Sequence, residues 1–404
     1  MKIKHINHSS LLLQCNQGNY LLCDPWIISS AFTTWVQNPK PTLKTVEQIL
    51  NTDKNNINVL ISHGHDDHLD EFVLKKHFNE KDLFIPKLRS PGLKNRIKGL
   101  DCLPVEIGEK KHKCGGFEIS NIINEDFTGD DTIFMINDDE HLVIHANDNY
   151  HYYNKTLLDQ IKNKSKDFKK EKIFYFVQRG IADAYPMSYA NYDDKKVSEL
   201  IKNRYKTYCE TIETNRKNLA LDKVLIYANQ AKIIHDIKRE DWLFSAHEQI
   251  ISLYANQKQL YPDNIISDNN TVDYKDISNV KTYYKKCFEK YQEIVNIYLK
   301  DVISKDIYMP IKFYDKFFDD YKEHEIRNEI EIVANPNIWN EIFSGKITIE
   351  SITIGGAGIV NKPLDYNLSK MFHSLTKISY KIKMMINRDG LEWINLNDAK
   401  KLYI

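Results

Sequence analysis

Cysteine is sparse and scattered in this 404-residue sequence. The six residues, Cys15, Cys23, Cys102, Cys114, Cys209 and Cys287, form no Cys-x-x-Cys pair. That spacing argues against a zinc ribbon and a cysteine-ligated iron–sulfur cluster. The lack of closely spaced Cys and His pairs argues against a Rieske centre. The pattern fits reduced, buried thiols in a cytosolic protein. Neither sign of charge prevails, with 56 Lys+Arg against 56 Asp+Glu. Electrostatics therefore give no case for nucleic acid or an acidic membrane as partner. No stretch approaches the roughly 20 apolar residues that span a bilayer, so no stable membrane association is expected. Met1-Lys2-Ile3-Lys4-His5 enters strand-like sequence with no apolar leader, and a cytoplasmic location is the expectation.

Aromatic residues are plentiful, with 24 Tyr and 17 Phe, and 404 residues are enough to bury a substantial core. The densest chemistry lies in His63-Gly64-His65-Asp66-Asp67-His68, just after the apolar run Val59-Leu60-Ile61. An apolar run of this kind predicts a buried strand, which places the cluster on the loop where that strand ends. Imidazole and carboxylate are ligands for Zn²⁺, Fe or Mn. The alternative is a polar loop with Asp66 or Asp67 capping a helix that begins near Leu69. Three imidazoles and two carboxylates in six residues favour the metal, and such a cluster has the donors for two ions.

The spacing His-x-His-x-Asp-His after a strand resembles the first metal motif of the metallo-β-lactamase superfamily. The resemblance implies an α/β fold, the αββα sandwich, with metals at one edge. His63 and His65 would then serve the first metal, and Asp67 and His68 the second. Asn7-His8-Ser9-Ser10-Leu11-Leu12-Leu13 and Leu21-Leu22-Cys23-Asp24-Pro25-Trp26 are similar to the UlaG-like branch, which includes the non-Rieske part of the CMP-N-acetylneuraminate hydroxylases. Asp148, after the strand-like Leu142-Val143-Ile144, matches the bridging aspartate; a turn-forming Asn-Asp-Asn is the other account of it. His235 matches the last histidine, with His247 as competitor. The family's histidine about twenty residues before the bridging aspartate has no counterpart, since Glu125 to Thr132 contains none. Asp131 is the expected replacement, with Asp130 and Asp126 behind it. A carboxylate there makes the site harder and raises Fe or Mn against Zn²⁺. His8 and Asp24 match positions near the family's active site, although either suits a structural role.

From residue 1 to about 250 the chain alternates short strands and helices. Val197, Leu200, Ile201, Tyr205, Tyr208 and Ile212 recur at helical spacing behind the capping candidates Asp193 and Asp194. The polar stretch near 255–278 is expected to separate a metal-binding domain, 1–254, from a C-terminal α+β domain, 279–404. A helix is expected over Val280 to Tyr298. Trp339 to Gly345, Ile352 to Gly355, Lys362 to Asn367 and Phe372 to Leu375 are similar to the hydroxylase tail. Gly355-Gly356-Ala357-Gly358 lacks the Gly-Lys-Ser/Thr ending of a phosphate loop and suits a turn. Tyr185-Pro186-Met187-Ser188-Tyr189 resembles a pocket-lining segment, and aromatic packing accounts for it equally well.

Three functions fit. A hydrolase would use two divalent ions to activate water against a small-molecule ester, phosphoester or amide, with Asp67 and Asp148 as catalytic carboxylates. A di-iron oxygenase would tailor a small metabolite or sugar with electrons from a reductase. A scaffold would keep the metal-binding fold without catalysis.

Overall fold

Several strands of this protein are apolar at nearly every position, because both faces of their sheets are covered. The computed structural model describes residues 1–123, 132–178, 185–233, 254–273, 309–314 and 329–361, less a few short stretches inside those ranges. In chain order the described strands begin with β1 (Lys2–Asn7), β2 (Ser10–Gln14), β3 (Tyr20–Cys23), β4 (Trp35–Gln37), β5 (Ile57–Leu60), β6 (Asp82–Pro86) and β7 (Leu103–Ile107). There follow β8 (His112–Cys114), β9 (Phe117–Ile123), β10 (Thr132–Asn137), β11 (Leu142–His145), β12 (Ile173–Gln178), β13 (Val224–Tyr227) and β14 (Ala231–Ile233). The last are β15 (Gln257–Gln259), β16 (Ile265–Ser267), β17 (Thr271–Asp273), β18 (Met309–Tyr314), β19 (Glu329–Ala334) and β20 (Gly358–Asn361).

Two large sheets hold most of them. One has the order β17-β16-β1-β2-β3-β5-β6-β7, the other β15-β13-β12-β11-β10-β9-β8. The strands from β3 through β5 and β6 to β7 run parallel, as do those from β11 through β12 and β13 to β15.

Side-chain alternation builds the layers. Leu11, Leu13, Leu21, Cys23 and Leu60 of the first sheet meet Ile119, Phe134, Ile136, Phe174, Phe176 and Leu225 of the second in the central core. The intervening residues point outward. Leu12, Leu22, Val59 and Leu83 pack under Ile49, Val73, Leu74, Leu93 and Ile97, which lie on helices Leu43–Asn51, Glu71–His77 and Gly92–Lys98. On the opposite side Ile133, Met135, Tyr175, Val177 and Ile226 pack under Leu157 and Ile161 of helix Lys155–Ser165 and Ile212 of helix Asp194–Asn218. The result is the expected αββα sandwich.

Local signals set the helix starts. Asn154 accepts from Leu157 N at 2.8 Å, and Asp193 accepts from Lys196 N at 2.7 Å. The helix after the histidine cluster is capped by Asp70, not by Asp66 or Asp67; Asp70 accepts from Val73 N at 3.2 Å. This frees Asp67 for the site.

Three strands between 257 and 273 pair into the sandwich, in the polar stretch expected to divide the chain: β15 on β13, β16 on β1 and β17 on β16. Further on, β18, β19 and β20 make a separate antiparallel sheet beside helices Pro336–Phe343 and Glu350–Thr353. Gly358 is required in that sheet, because a Cβ there would lie 2.9 Å from Val333 O. The helix expected at Val280 to Tyr298 and the tail segments from Lys362 to Leu375 lie outside the described residues. Among the described residues no helix is long and apolar enough to cross a membrane.

Phe176 is fully buried between the sheets. Phe176→Ala should cost about 3–5 kcal/mol of stability in urea unfolding; a loss under about 1 kcal/mol would contradict this packing.

Candidate metal centre

β5 ends at Leu60, and the chain then turns through Ser62 to Asp70 before helix Glu71–His77. Buried Arg96 fixes the shape of this loop. It donates from Nη2 to Asp66 Oδ1 at 2.6 Å, from Nε to Glu71 Oε1 at 2.7 Å, and from Nη1 to the Gly64 carbonyl. Asp66 also accepts from Phe32 N at 3.2 Å, so it serves the loop and its neighbour. Asp70 accepts from the amides of Ile27, Ile28 and Ser29 and from the Ser29 hydroxyl, tying down the segment that follows β3.

His63, His65, Asp67, His68 and Asp148 converge. His63 Nε2 lies 2.7 Å from His65 Nδ1, and Asp148 Oδ2 lies 3.6 and 3.9 Å from those two nitrogens. His68 Nε2 is 3.5 Å from Asp148 Oδ1 and 3.7 Å from Asp67 Oδ2. Two groups with the geometry to hold an ion emerge: His63, His68 and Asp148, and His8, Asp67 and His68.

These side chains are held by others. Asp24 Oδ2 accepts from His68 Nδ1 at 3.1 Å, which aims His68 Nε2 at the cluster. The same oxygen accepts from His145 Nε2 at 3.1 Å and from Ser62 Oγ at 2.8 Å, while Oδ1 accepts from Ser62 N at 2.6 Å. Behind His145, the Tyr227 hydroxyl lies 2.7 Å from Nδ1. His8 Nε2 lies 2.9 Å from Asp67 Oδ2, and Glu350 Oε1 lies 3.5 Å from His65 Nε2.

The backbone is strained where these loops leave their strands. His8, Asp24, Asn147 and Ala228 have φ of 41°, 45°, 50° and 58°. They close the β1–β2 turn and follow β3, β11 and β13. Left-handed non-glycine residues cost on the order of 1–3 kcal/mol each and gather where function requires them.

The electrostatics suit cations. Burial alone would raise the Asp24 carboxyl, but the charge of His68 and hydrogen bonds from His145 and His68 outweigh it and hold the group at about 2. Burial likewise opposes ionisation of Asp67, yet His68 and His8 hold it well below the usual carboxylate range. Burial disfavours charge on His68; Asp67, Asp148 and Asp24 overcome this and raise it to about 9. Burial also opposes charge on His65, which Glu350 and the nearby aspartates raise to about 10. The His65 side chain is one-third exposed, so solvent screens its partners and the fully buried His68 carries the firmer shift. Burial and the positive His68 and His65 push His63 well below its ordinary value.

Divalent ions fit this donor set. Among the described residues, Asp67 Oδ1 and His68 Nε2 are buried without a hydrogen-bond partner. Such atoms are expensive unless something else meets them. Asp131 and its competitors Asp130 and Asp126 lie outside the described residues, as do His235 and His247. The sequence does not single out His145, Tyr227 or Glu350: each sits in ordinary strand or helix sequence, and only the fold brings them in. Tyr185 packs against Tyr189 with ring centroids 4.8 Å apart, and its carbonyl accepts from Arg204 Nη1 at 2.6 Å. That is aromatic packing.

Residues 2–165 match the family model described as the Beta-lactamase superfamily domain. Together with the two-sheet sandwich and the cluster after β5, this decides the assignment. That part of the chain is a metallo-β-lactamase superfamily domain. The match is to the superfamily and does not distinguish the UlaG-like branch. Two Mycobacterium tuberculosis proteins, from strains CDC 1551 / Oshkosh and ATCC 25618 / H37Rv, are each 28% identical over 101 residues. Both are provisionally named Rieske 2Fe-2S iron-sulfur proteins. The aligned stretch is 25% of this chain and only 19% of each relative. Among solved structures, a variant of the CmlA beta-hydroxylase has a TM-score of 0.40 at 13% identity, covering 66% of this chain and 53% of that one. An isothiocyanate hydrolase from Delia radicum gut bacteria has a TM-score of 0.39 at 14% identity, covering 66% of this chain and 99% of the other.

The two raised histidines generate a prediction for the superfamily domain. Their folded values lie above the ordinary 6.5, so their charged forms stabilise the metal-free protein fully below about pH 6.5. That contribution is lost as pH rises through about 9 and 10. Ligation requires neutral imidazole, so zinc uptake at pH 7.5 should release roughly two protons, and fewer toward pH 10. Calorimetry in buffers of different ionisation enthalpy measures the release. Uptake without proton release would contradict the charged state of His65 and His68.

Proposed function

We propose that this protein is a metal-dependent hydrolase acting on a small-molecule ester, phosphoester or amide at a dinuclear site. His63, His65, Asp67, His68 and Asp148 would hold two divalent ions, with Asp131 and His235 completing the set. The observation that carries this is the placement of Asp148. Its Oδ2 faces His63 and His65 while its Oδ1 faces His68, so one carboxylate addresses two groups of donors. When bound, the ions supply a Lewis acid and a water that is nucleophilic near neutral pH.

The protein's own groups do the rest. Asp67 is gripped through Oδ2 by His8, which leaves its buried Oδ1 to face an ion or to orient the attacking water. Asp24 keeps His68 from rotating away. The Phe32 ring lies edge-on to the His65 ring at 6.0 Å between centroids, adding an apolar wall to that side.

A second reading has one observation of its own. No histidine lies between His112 and His141, so the ligand before Asp148 is a carboxylate or comes from elsewhere. An oxygen-rich site favours iron or manganese, and two irons would suit a di-iron oxygenase served by a reductase.

Metal analysis of protein purified without chelators or added metal separates these. Two zinc or manganese ions, with ester or phosphoester turnover lost on chelation, is the expected result. Two irons with oxygen-dependent turnover would replace the hydrolase with the oxygenase, and metal far below stoichiometry would leave a scaffold. Asp67→Asn should lower turnover by about 10²–10⁴-fold. Asp131→Ala should remove about one ion per chain, and Asp131→His should restore it with a shift toward zinc. Unchanged metal content in Asp131→Ala would remove that residue from the site.

A further inference from the structure

Glu350 comes from far outside the segment that matches the superfamily, yet it is 2% exposed and reaches the histidine cluster. It opens the short helix Glu350–Thr353. Its Oε2 accepts from Thr348 Oγ1 at 3.3 Å, and its Oε1 lies 3.5 Å from His65 Nε2, so both carboxylate oxygens are placed. The segment around it is docked. Val360 N donates to Ser188 O at 3.0 Å, and Ala190 N donates to Val360 O at 3.2 Å. Ile354 packs against the buried cluster of Trp26, Phe32 and Trp35, which borders the site.

The two nitrogens of His65 therefore face different ways. Nδ1 looks inward to His63 Nε2 and Asp148, and Nε2 looks outward to Glu350. A carboxylate on the outer nitrogen of a ligating imidazole fixes the ring's tautomer and orientation and makes the inner nitrogen a better donor. Asp24 stands in the same relation to His68. His65 is the more exposed of the two rings, so it depends more on this outer support to keep its orientation.

We propose that Glu350 is a positioning residue for the metal centre: it holds His65 Nε2–H so that Nδ1 faces the metal. The region beyond the sandwich thereby supports a cluster, His63 to His68 with Asp148, that comes from the superfamily domain. This rests on the reading of the cluster as a metal centre.

Cobalt(II) titration of the full-length protein, followed by visible absorption, tests it together with the ¹⁵N spectrum of the imidazoles in metal-free protein. Glu350→Ala should weaken cobalt binding about 10–100-fold and shift the His65 ring nitrogens. Glu350→Gln keeps an acceptor at the same reach and should recover most of the affinity, which a role through charge alone would not allow. If Glu350→Ala fails to fold, Glu350→Asp carries the test, because its carboxylate is withdrawn by one methylene and should give the same weakening. Parental cobalt affinity in a folded Ala or Asp variant would overturn the positioning role while leaving the metal centre intact. Absence of cobalt uptake by the parent protein would instead overturn the metal centre, and this role with it.

Discussion

One buried carboxylate joins the parts on which the site depends. Asp24 follows β3 in the first sheet and accepts from Ser62 and His68 on the loop after β5. It also accepts from His145, the last residue of β11 in the second sheet. The sheets are thus pinned to each other at the edge where the candidate ligands emerge. Burying a charge is costly unless it is paired and hydrogen-bonded. Asp24 meets both conditions with four donors, and its proton affinity is low as a result. Removing any of them would loosen the imidazoles and the seam together.

Topology explains why so many donors reach one place. β3, β5 and β6 run parallel in one sheet, and β11, β12 and β13 in the other. Parallel strands end on the same side, so the loops carrying Asp24, His63 to His68 and Asp148 open onto a common rim. The antiparallel β1–β2 hairpin adds His8, whose carbonyl accepts from Ala228 N at 2.8 Å just beyond β13. The central core beneath is a continuous apolar layer that contains none of the candidate ligands. Strain at the rim is therefore borne by packing elsewhere, which is how left-handed residues such as His8 and Asp24 persist.

Much of this was legible in the sequence, for identifiable reasons. Strands such as Tyr20–Cys23, Ile173–Gln178 and Val224–Tyr227 announce themselves as apolar runs. His63, His65, Asp67 and His68 are legible because their spacing is local. Asp148 required the family resemblance, since Asn-Asp-Asn alone reads as a turn. His145, Tyr227 and Glu350 were not legible, because their roles arise from tertiary placement and no local pattern marks a residue that supports a distant one. The capping carboxylate shows the same limit on a smaller scale. Asp66, Asp67 and Asp70 all precede one helix, and only the hydrogen bonds assign the cap to Asp70, the Arg96 partner to Asp66 and the site to Asp67.

The charge pattern bears on how the cluster is held together. Three carboxylates, Asp24, Asp67 and Asp148, crowd against four imidazoles, His8, His63, His65 and His68. Those carboxylates raise the proton affinity of His65 and His68, and charge on the two rings would offset part of the negative charge that attracts an ion. An ion there would displace those protons, and the hydrogen bonds that Ser62 and His68 donate to Asp24 would stay in place. Preorganisation of this kind lowers the reorganisation that accompanies metal entry, because the imidazoles are already aimed. The sandwich closes on its apolar layers, and the loops at its rim are held by the hydrogen bonds that Asp24 and Asp70 accept.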